Sequence, residues 1–218
     1  MTPKILLLTG PQASGNHLWS KIYAMHPEVQ GWEGLKREYW INHQGEPFKN
    51  IWTNPDSIDS IPWNEFPYWA ISISCPFVDR DGRDDRTMFP QYDVVLPRLE
   101  DKGDLQIGII GRDQTIMGNA QVRKRGVKSF HNMLNKIDYL TMYDHMFLSS
   151  ELLYLYRRDY LASINGQSIV PIDFDNSRLH YILNEDPNTK YVHYVEHSWL
   201  DNRHFNGRLK DNSVAHDV

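Results

Sequence analysis

The chain has 218 residues, 40% of them hydrophobic and 23% charged, with a net charge of -5. That is enough apolar material for one α/β domain with a sizeable core, and the acidic balance gives no whole-molecule field that would gather nucleic acid. No apolar run reaches the length of a bilayer span, and a single cysteine, Cys75, excludes an internal disulfide framework.

Residues 5–9 are a continuous apolar run that stops at Gly10, the pattern of a strand buried on both faces of a parallel sheet. The N-terminal KILLL is too short for a signal-peptide core, so a reduced, cytoplasmic protein is expected. From Asn16 the apolar positions Leu18, Trp19, Ile22, Tyr23 and Met25 follow helical spacing until His26-Pro27 closes the helix, and Val29 begins a short strand. Residues 42–67, rich in Pro, Asn, Asp and Trp, read as a loop region with one short helix.

Residues 68–75 form the next strand, with Cys75 as a small core residue, and 79–86 (DRDGRDDR) a solvated charged turn. A short helix is expected over 94–100, then a second clear buried strand over 105–110 ending in GRD. Residues 115–125 are helical, capped by Asp113 or Thr115. Residues 146–148 are a strand leading into the helix SSELLYLYRRDYLASI; a strand over 168–172 and the helix DNSRLHYIL complete the pattern. The last thirty residues carry no clear element. Strands alternating with helices imply a parallel α/β sheet with covered faces.

The stretch GPQASGNHLW holds the chemistry. Gly10 and Gly15 permit backbone conformations that other residues resist, Ala13 and Ser14 add little bulk, and the loop runs into a helix N-terminus. A strand, a small-residue loop and unpaired helix amides make an anion site, with Gly10 and Gly15 at the spacing G-x-x-x-x-G of a phosphate loop. Asn16 and His17 are side-chain donors at its end, where a nucleotide hydrolase has Lys and then Ser or Thr.

Extended to residue 40, the stretch GPQASGNHLWSKIYAMHPEVQGWEGLKREYW resembles the N-terminal region of sulfotransferases, in Pro11, Ser14, Gly15, Leu18, HPEV and KREYW. The resemblance implies a P-loop-type three-layer α/β/α fold with a central, mostly parallel sheet, spanning 1–218 as a single domain. It also implies 3'-phosphoadenosine 5'-phosphosulfate as donor, bound by Pro11, Gln12, Ala13, Ser14, Gly15, Asn16, His17 and Leu18, and no metal. The chain departs from the family at Ala13, where the loop's basic residue would stand, and at Asn16-His17, where two threonines would. A second block, LQIGIIGRDQTIMGNAQVRKR, resembles the family's 3'-phosphate motif, so Arg112, Asn119 and Arg123 are the expected ligands there, without the motif's proline and serine. Ser149, Ser150, Glu151 and Leu152 fall at the family's later strand–helix junction, a mostly structural place.

Sulfuryl transfer to a hydroxyl needs a proton acceptor. By resemblance the base is Glu38 of KREYW, with Lys36 as a neighbouring cation and His17 as a further catalytic candidate; Glu33 and His43 are reserves. The irregular stretch at about 40–92 is expected to supply the wall for a glycan or small-molecule acceptor. HYVEH sets His193 and His197 four apart but lacks the glutamate of a zinc-protease helix, and no metal site is expected. Two rivals stand beside this reading: a kinase-like phosphotransferase using the same loop, and a non-catalytic nucleotide-binding or assembly protein that keeps the fold.

Overall fold

The computed structural model describes residues 2–31, 48–81 and 84–184. Its centre is a sheet of five strands, β1 (Lys4–Gly10), β2 (Val29–Gln30), β3 (Tyr68–Ser74), β6 (Asp104–Gly111) and β7 (His145–Ser149). Their order across the sheet is β2-β3-β1-β6-β7, and every pairing is parallel. β1 lies between β3 and β6, with Gly10 opposite Ser74 and Thr9 opposite Ile109. This is the α/β architecture expected, and its cause is visible in the strands: β1 buries both faces, so Ile5 and Leu7 point to one layer and Leu6 and Leu8 to the other.

On the first face, Ile5, Leu7, Ile71 and Ile107 pack with Val95, Leu96 and Leu99 of α2 (Tyr92–Glu100) and with Met133 and Leu140 of α4 (His131–Leu140). On the second, Leu6, Leu8 and Leu148 pack with Trp19, Ile22 and Tyr23 of α1 (Asn16–Ala24). Leu153, Leu161 and Ile164 of α5 (Ser150–Asn165) and Leu179 of α6 (Ser177–Asn184) complete that layer. Between β6 and α4 runs α3 (Gln114–Arg125), capped by Asp113, whose Oδ1 accepts from the amides of Thr115 and Ile116 at 2.9 Å each. Pro97 inside α2 removes one backbone donor, yet the helix holds because its apolar stripe is buried.

Three sequence expectations change. Residues 79–81 and 84–86, expected in a charged turn, instead pair as antiparallel strands, β4 (Phe77–Asp81) and β5 (Asp84–Met88). Their register sets Asp79 opposite Arg86 and Arg80 opposite Asp85. Residues 168–172 form no strand, because side chains take their amides: Gln106 Oε1 accepts from Ile169, Ser168 Oγ from Val170 and Asn165 Oδ1 from Ile172. The segment before β3 holds three 3-10 turns, Lys49–Trp52, Pro55–Ser60 and Trp63–Glu65, in place of the one short helix expected. α4 is an element the sequence reading does not anticipate. Among the described residues, no helix is long and apolar enough to cross a membrane.

Candidate functional site

β1 ends at the C-terminal edge of the sheet, where the chain's crossovers diverge to β3 on one side and β6 on the other. Open parallel sheets bind ligands at such a switch point. The turn from β1 into α1 requires its glycines. A Cβ on Gly10 would lie 2.6 Å from the Ile110 carbonyl oxygen. Gly15 adopts φ 114°, and a Cβ there would lie 2.8 Å from Ser150 Oγ. Ala13 is also left-handed, at φ 68°, a conformation an alanine adopts only where its surroundings enforce it.

Those surroundings are three side chains from outside the loop, each donating to one of three consecutive loop carbonyls. Gln121 Nε2 donates to Gln12 O at 2.7 Å, Arg112 Nη1 to Ala13 O at 2.9 Å, and Ser150 Oγ to Ser14 O at 2.6 Å. In a trans peptide the carbonyl and the adjoining amide point in opposite directions. Holding these carbonyls outward therefore turns the amides of Ala13, Ser14 and Gly15 inward. Ser14 N closes the turn onto Pro11 O at 3.2 Å. Among the described residues, nothing accepts from the amides of Ala13, Gly15 or Asn16, which leaves a cradle of donors at the positive end of the α1 dipole.

Asn16 is used differently from its sequence expectation. Its side chain is buried; Nδ2 donates to Ser74 Oγ at 2.6 Å and Oδ1 accepts from Ser14 Oγ at 3.3 Å. It thus staples the loop to the end of β3, and its backbone amide is the part left to meet an anion. His17 and Leu18 stand in the first turn of α1, half-buried. Pro11 and Gln12 are buried. Thr9, just before the loop, shares a hydrogen bond of 2.6 Å with Tyr92 OH, and Cys75 N donates to Gly10 O at 2.9 Å. Burial raises both the Tyr92 phenol and the Cys75 thiol above their ordinary values, so neither carries negative charge toward the cradle.

The structure brings Arg112 and the loop residues together. Asn119 lies half-buried on α3 and Arg123 is exposed on the same helix. Glu38, Lys36, Glu33 and His43 lie outside the described residues, as do His193 and His197. Of the stretch expected to wall an acceptor, residues 55–67 precede β3 and sit at the strands' N-terminal edge, where Pro67 O accepts from Lys4 N. Trp63 is buried there, whereas Trp52, also buried, meets the ring of Tyr92, whose hydroxyl bonds to Thr9. The β4–β5 hairpin leaves from the end of β3, whose Ser74 lies opposite Gly10. Among the described residues, no cluster of His, Cys, Asp and Glu could hold a metal.

Sequence reasoning missed Gln121 and Ser74, and gave Ser150 no tie to the loop. The available signal for Gln121 was a glutamine on the buried face of α3, in line with Met117 and Ala120. A buried amide is costly unless bonded, and Gln121 also accepts from Ser129 N at 2.7 Å. Ser150 and Ser74 gave no signal, since their partners are remote in sequence.

No family model matches the chain, and no curated protein does. Among solved structures it is similar to the sulfotransferase domain from the Synechococcus PCC 7002 olefin synthase, with 14% identity and a TM-score of 0.45, covering 98% of this chain and 86% of that one. It is also similar to the sulfotransferase domain from the curacin biosynthetic pathway, with 12% identity and a TM-score of 0.45, covering 84% of this chain and 79% of that one. What bears on function is the loop's own geometry.

Proposed function

We propose that the chain is a sulfotransferase-like enzyme that moves a sulfuryl group from 3'-phosphoadenosine 5'-phosphosulfate to a hydroxyl or amine of a saccharide or small molecule. The observation that carries this is the loop whose carbonyls at Gln12, Ala13 and Ser14 are all held outward. Its inward amides suit a bound oxyanion without a metal ion. The donor supplies a sulfur–oxygen bond that breaks at the phosphate's bridging oxygen as the acceptor atom bonds to sulfur.

The chain's residues have four tasks in this reading. The amides of Ala13, Gly15 and Asn16 hold the donor's anionic group, and Gly15 keeps space for it. Arg112, at the end of β6 and bonded to Ala13 O, stands with Asn119 and Arg123 for the nucleotide's 3'-phosphate. Glu38 takes the acceptor's proton, with Lys36 beside it, and His17 is a further catalytic candidate at the helix start. A magnesium-dependent kinase fits less well, since Asn16, bonded to Ser74, brings no ammonium and His17 brings no hydroxyl.

Calorimetric titration with adenosine 3',5'-bisphosphate, the product nucleotide, tests the reading. Micromolar binding without magnesium is expected, and Gly15→Ala should abolish it, because the new Cβ meets both the left-handed backbone and Ser150 Oγ. Binding of ATP that requires magnesium, with no affinity for the bisphosphate, would give the site to the kinase reading instead.

A further inference from the structure

We propose that the outer face of α5 is a two-fold interface at which two copies of this chain pair, their helices antiparallel. The inference does not rest on the donor-site reading above. From Leu152 to Tyr156 the helix turns only Leu153 into the core, while Leu152, Tyr154, Leu155 and Tyr156 are 40%, 40%, 64% and 59% exposed. At helical spacing these four fall side by side on the arc opposite Leu153. With roughly 200 Å² to each side chain, about 400 Å² of continuous apolar surface faces water. Patches of that size on a globular domain mark contact sites, and this one is about half of the ~800 Å² that each partner brings to a standard interface.

The flanks say what covers the patch. Glu151 precedes it and Arg157 and Arg158 follow it, so charges of both signs border one apolar face. Tyrosine and arginine are side chains that protein interfaces favour. A surface of one sign, such as anionic lipid or nucleic acid, would be drawn to one flank and repelled by the other, whereas a second copy turned end for end satisfies both. Glu151 Oε1 accepts from the Asp113 amide, Arg157 Nη1 donates to Asn184 Oδ1 at 3.0 Å, and Arg158 Nη1 donates to Phe174 O at 3.2 Å. Those partners are all neutral. Among the described residues, none of the three forms an ion pair within the chain.

A two-fold axis between Tyr154 and Leu155 sets Tyr154 opposite the partner's Leu155 and Glu151 opposite the partner's Arg158, each contact occurring twice. Moving the axis onto Leu155 would instead set Glu151 opposite the partner's Asp159, a juxtaposition of like charges, so charge fixes the register. The backbone kink at Arg157, with φ 45°, stops the straight helix just past Tyr156. The apolar row is therefore short, and its two ends carry the pairing.

Sedimentation of the native protein from about 1 to 100 micromolar tests this, with Leu155→Asp, Glu151→Arg and Arg158→Glu run beside it and circular dichroism melts checking that each folds. The native chain is expected to move from 25.7 kDa to twice that mass, and Leu155→Asp to remain a monomer. Glu151→Arg and Arg158→Glu should each weaken pairing at least about tenfold alone, since each places like charges at both ends. Mixed one to one, the two variants should pair as the native copies do, because the mixed pair again has opposite charges at both ends. A native protein that stays monomeric at every concentration overturns the proposal. So does a dimer that Leu155→Asp leaves intact, or an open series of larger species, which a closed two-fold contact cannot build. Charge variants that pair as well as the native chain overturn the register and with it the choice of occupant. Loss in both without recovery in the mixture also overturns it, since that loss would come from each variant's own helix.

Discussion

At the scale of single residues, the loop's shape depends on hydrogen bonds that cross long stretches of sequence. Gln121, Arg112 and Ser150 are each remote from the carbonyls they hold, and two of the three are buried. A buried donor deprived of its acceptor, or the reverse, costs about 1–3 kcal/mol, more than a typical bond contributes net. Ser150→Ala should therefore weaken binding of adenosine 3',5'-bisphosphate about tenfold while the fold persists, and a circular dichroism melt run beside the titration checks both. Gln121→Leu removes two bonds at once, to Gln12 O and from Ser129 N, and should cost stability as well as affinity. If Ser150→Ala binds as the native protein does, the carbonyl array is not what shapes the cradle.

At the scale of elements, local signals and tertiary packing contribute differently. α3 carries its own start signal: Asp113 accepts from two amides of the first turn. Asp113→Ala should cost about 1 kcal/mol in urea denaturation, the usual value of an N-cap side chain. α2 has the opposite balance, since Pro97 opposes it and burial of Tyr92, Val95, Leu96 and Leu99 sustains it. α5 kinks at Arg157, whose φ of 45° and ψ of -114° interrupt the helix while Arg157 Nη1 donates to Asn184 Oδ1 at 3.0 Å. The ties between α2 and the 3-10 turns, Arg98 to Asp56 and Asp59 and Lys102 to Asp59, are exposed and contribute little to stability in salt.

At the scale of the molecule, the titration of buried groups sets how stability varies with pH. Burial raises Cys75, Tyr92 and Tyr160 above their ordinary values of 9.0 for the thiol and 10.0 for the phenols. For a group whose folded pKa is raised, the contribution to stability is whole below the unfolded value and is lost as pH climbs through the folded one. The unfolded chain then binds fewer protons than the native one, so the slope against pH is negative. Urea midpoints should accordingly fall from about pH 9, where the unfolded thiol begins to ionise, and more steeply near pH 10 with the tyrosines. A flat profile from pH 8 to pH 11 would contradict the burial of these groups.

The sequence by itself determined the layered α/β plan. The runs at 5–9 and 105–110 have the continuous apolar character of strands covered on both faces, 68–75 reads as a further strand, and the glycines at 10 and 15 mark the turn after the first. It also determined that the loop carries no cation of its own. The tertiary structure alone decided that 79–81 pairs with 84–86 and that 168–172 spends its amides on side chains. It alone decided that Asn16 turns to Ser74, and that three distant residues hold the loop carbonyls. The reason is physical: a hydrophobic period is a local property, readable along a few turns of chain. The partner of a polar atom is fixed only when packing brings remote strands together, and the charge beside Ala13 is legible only once β6 lies against β1.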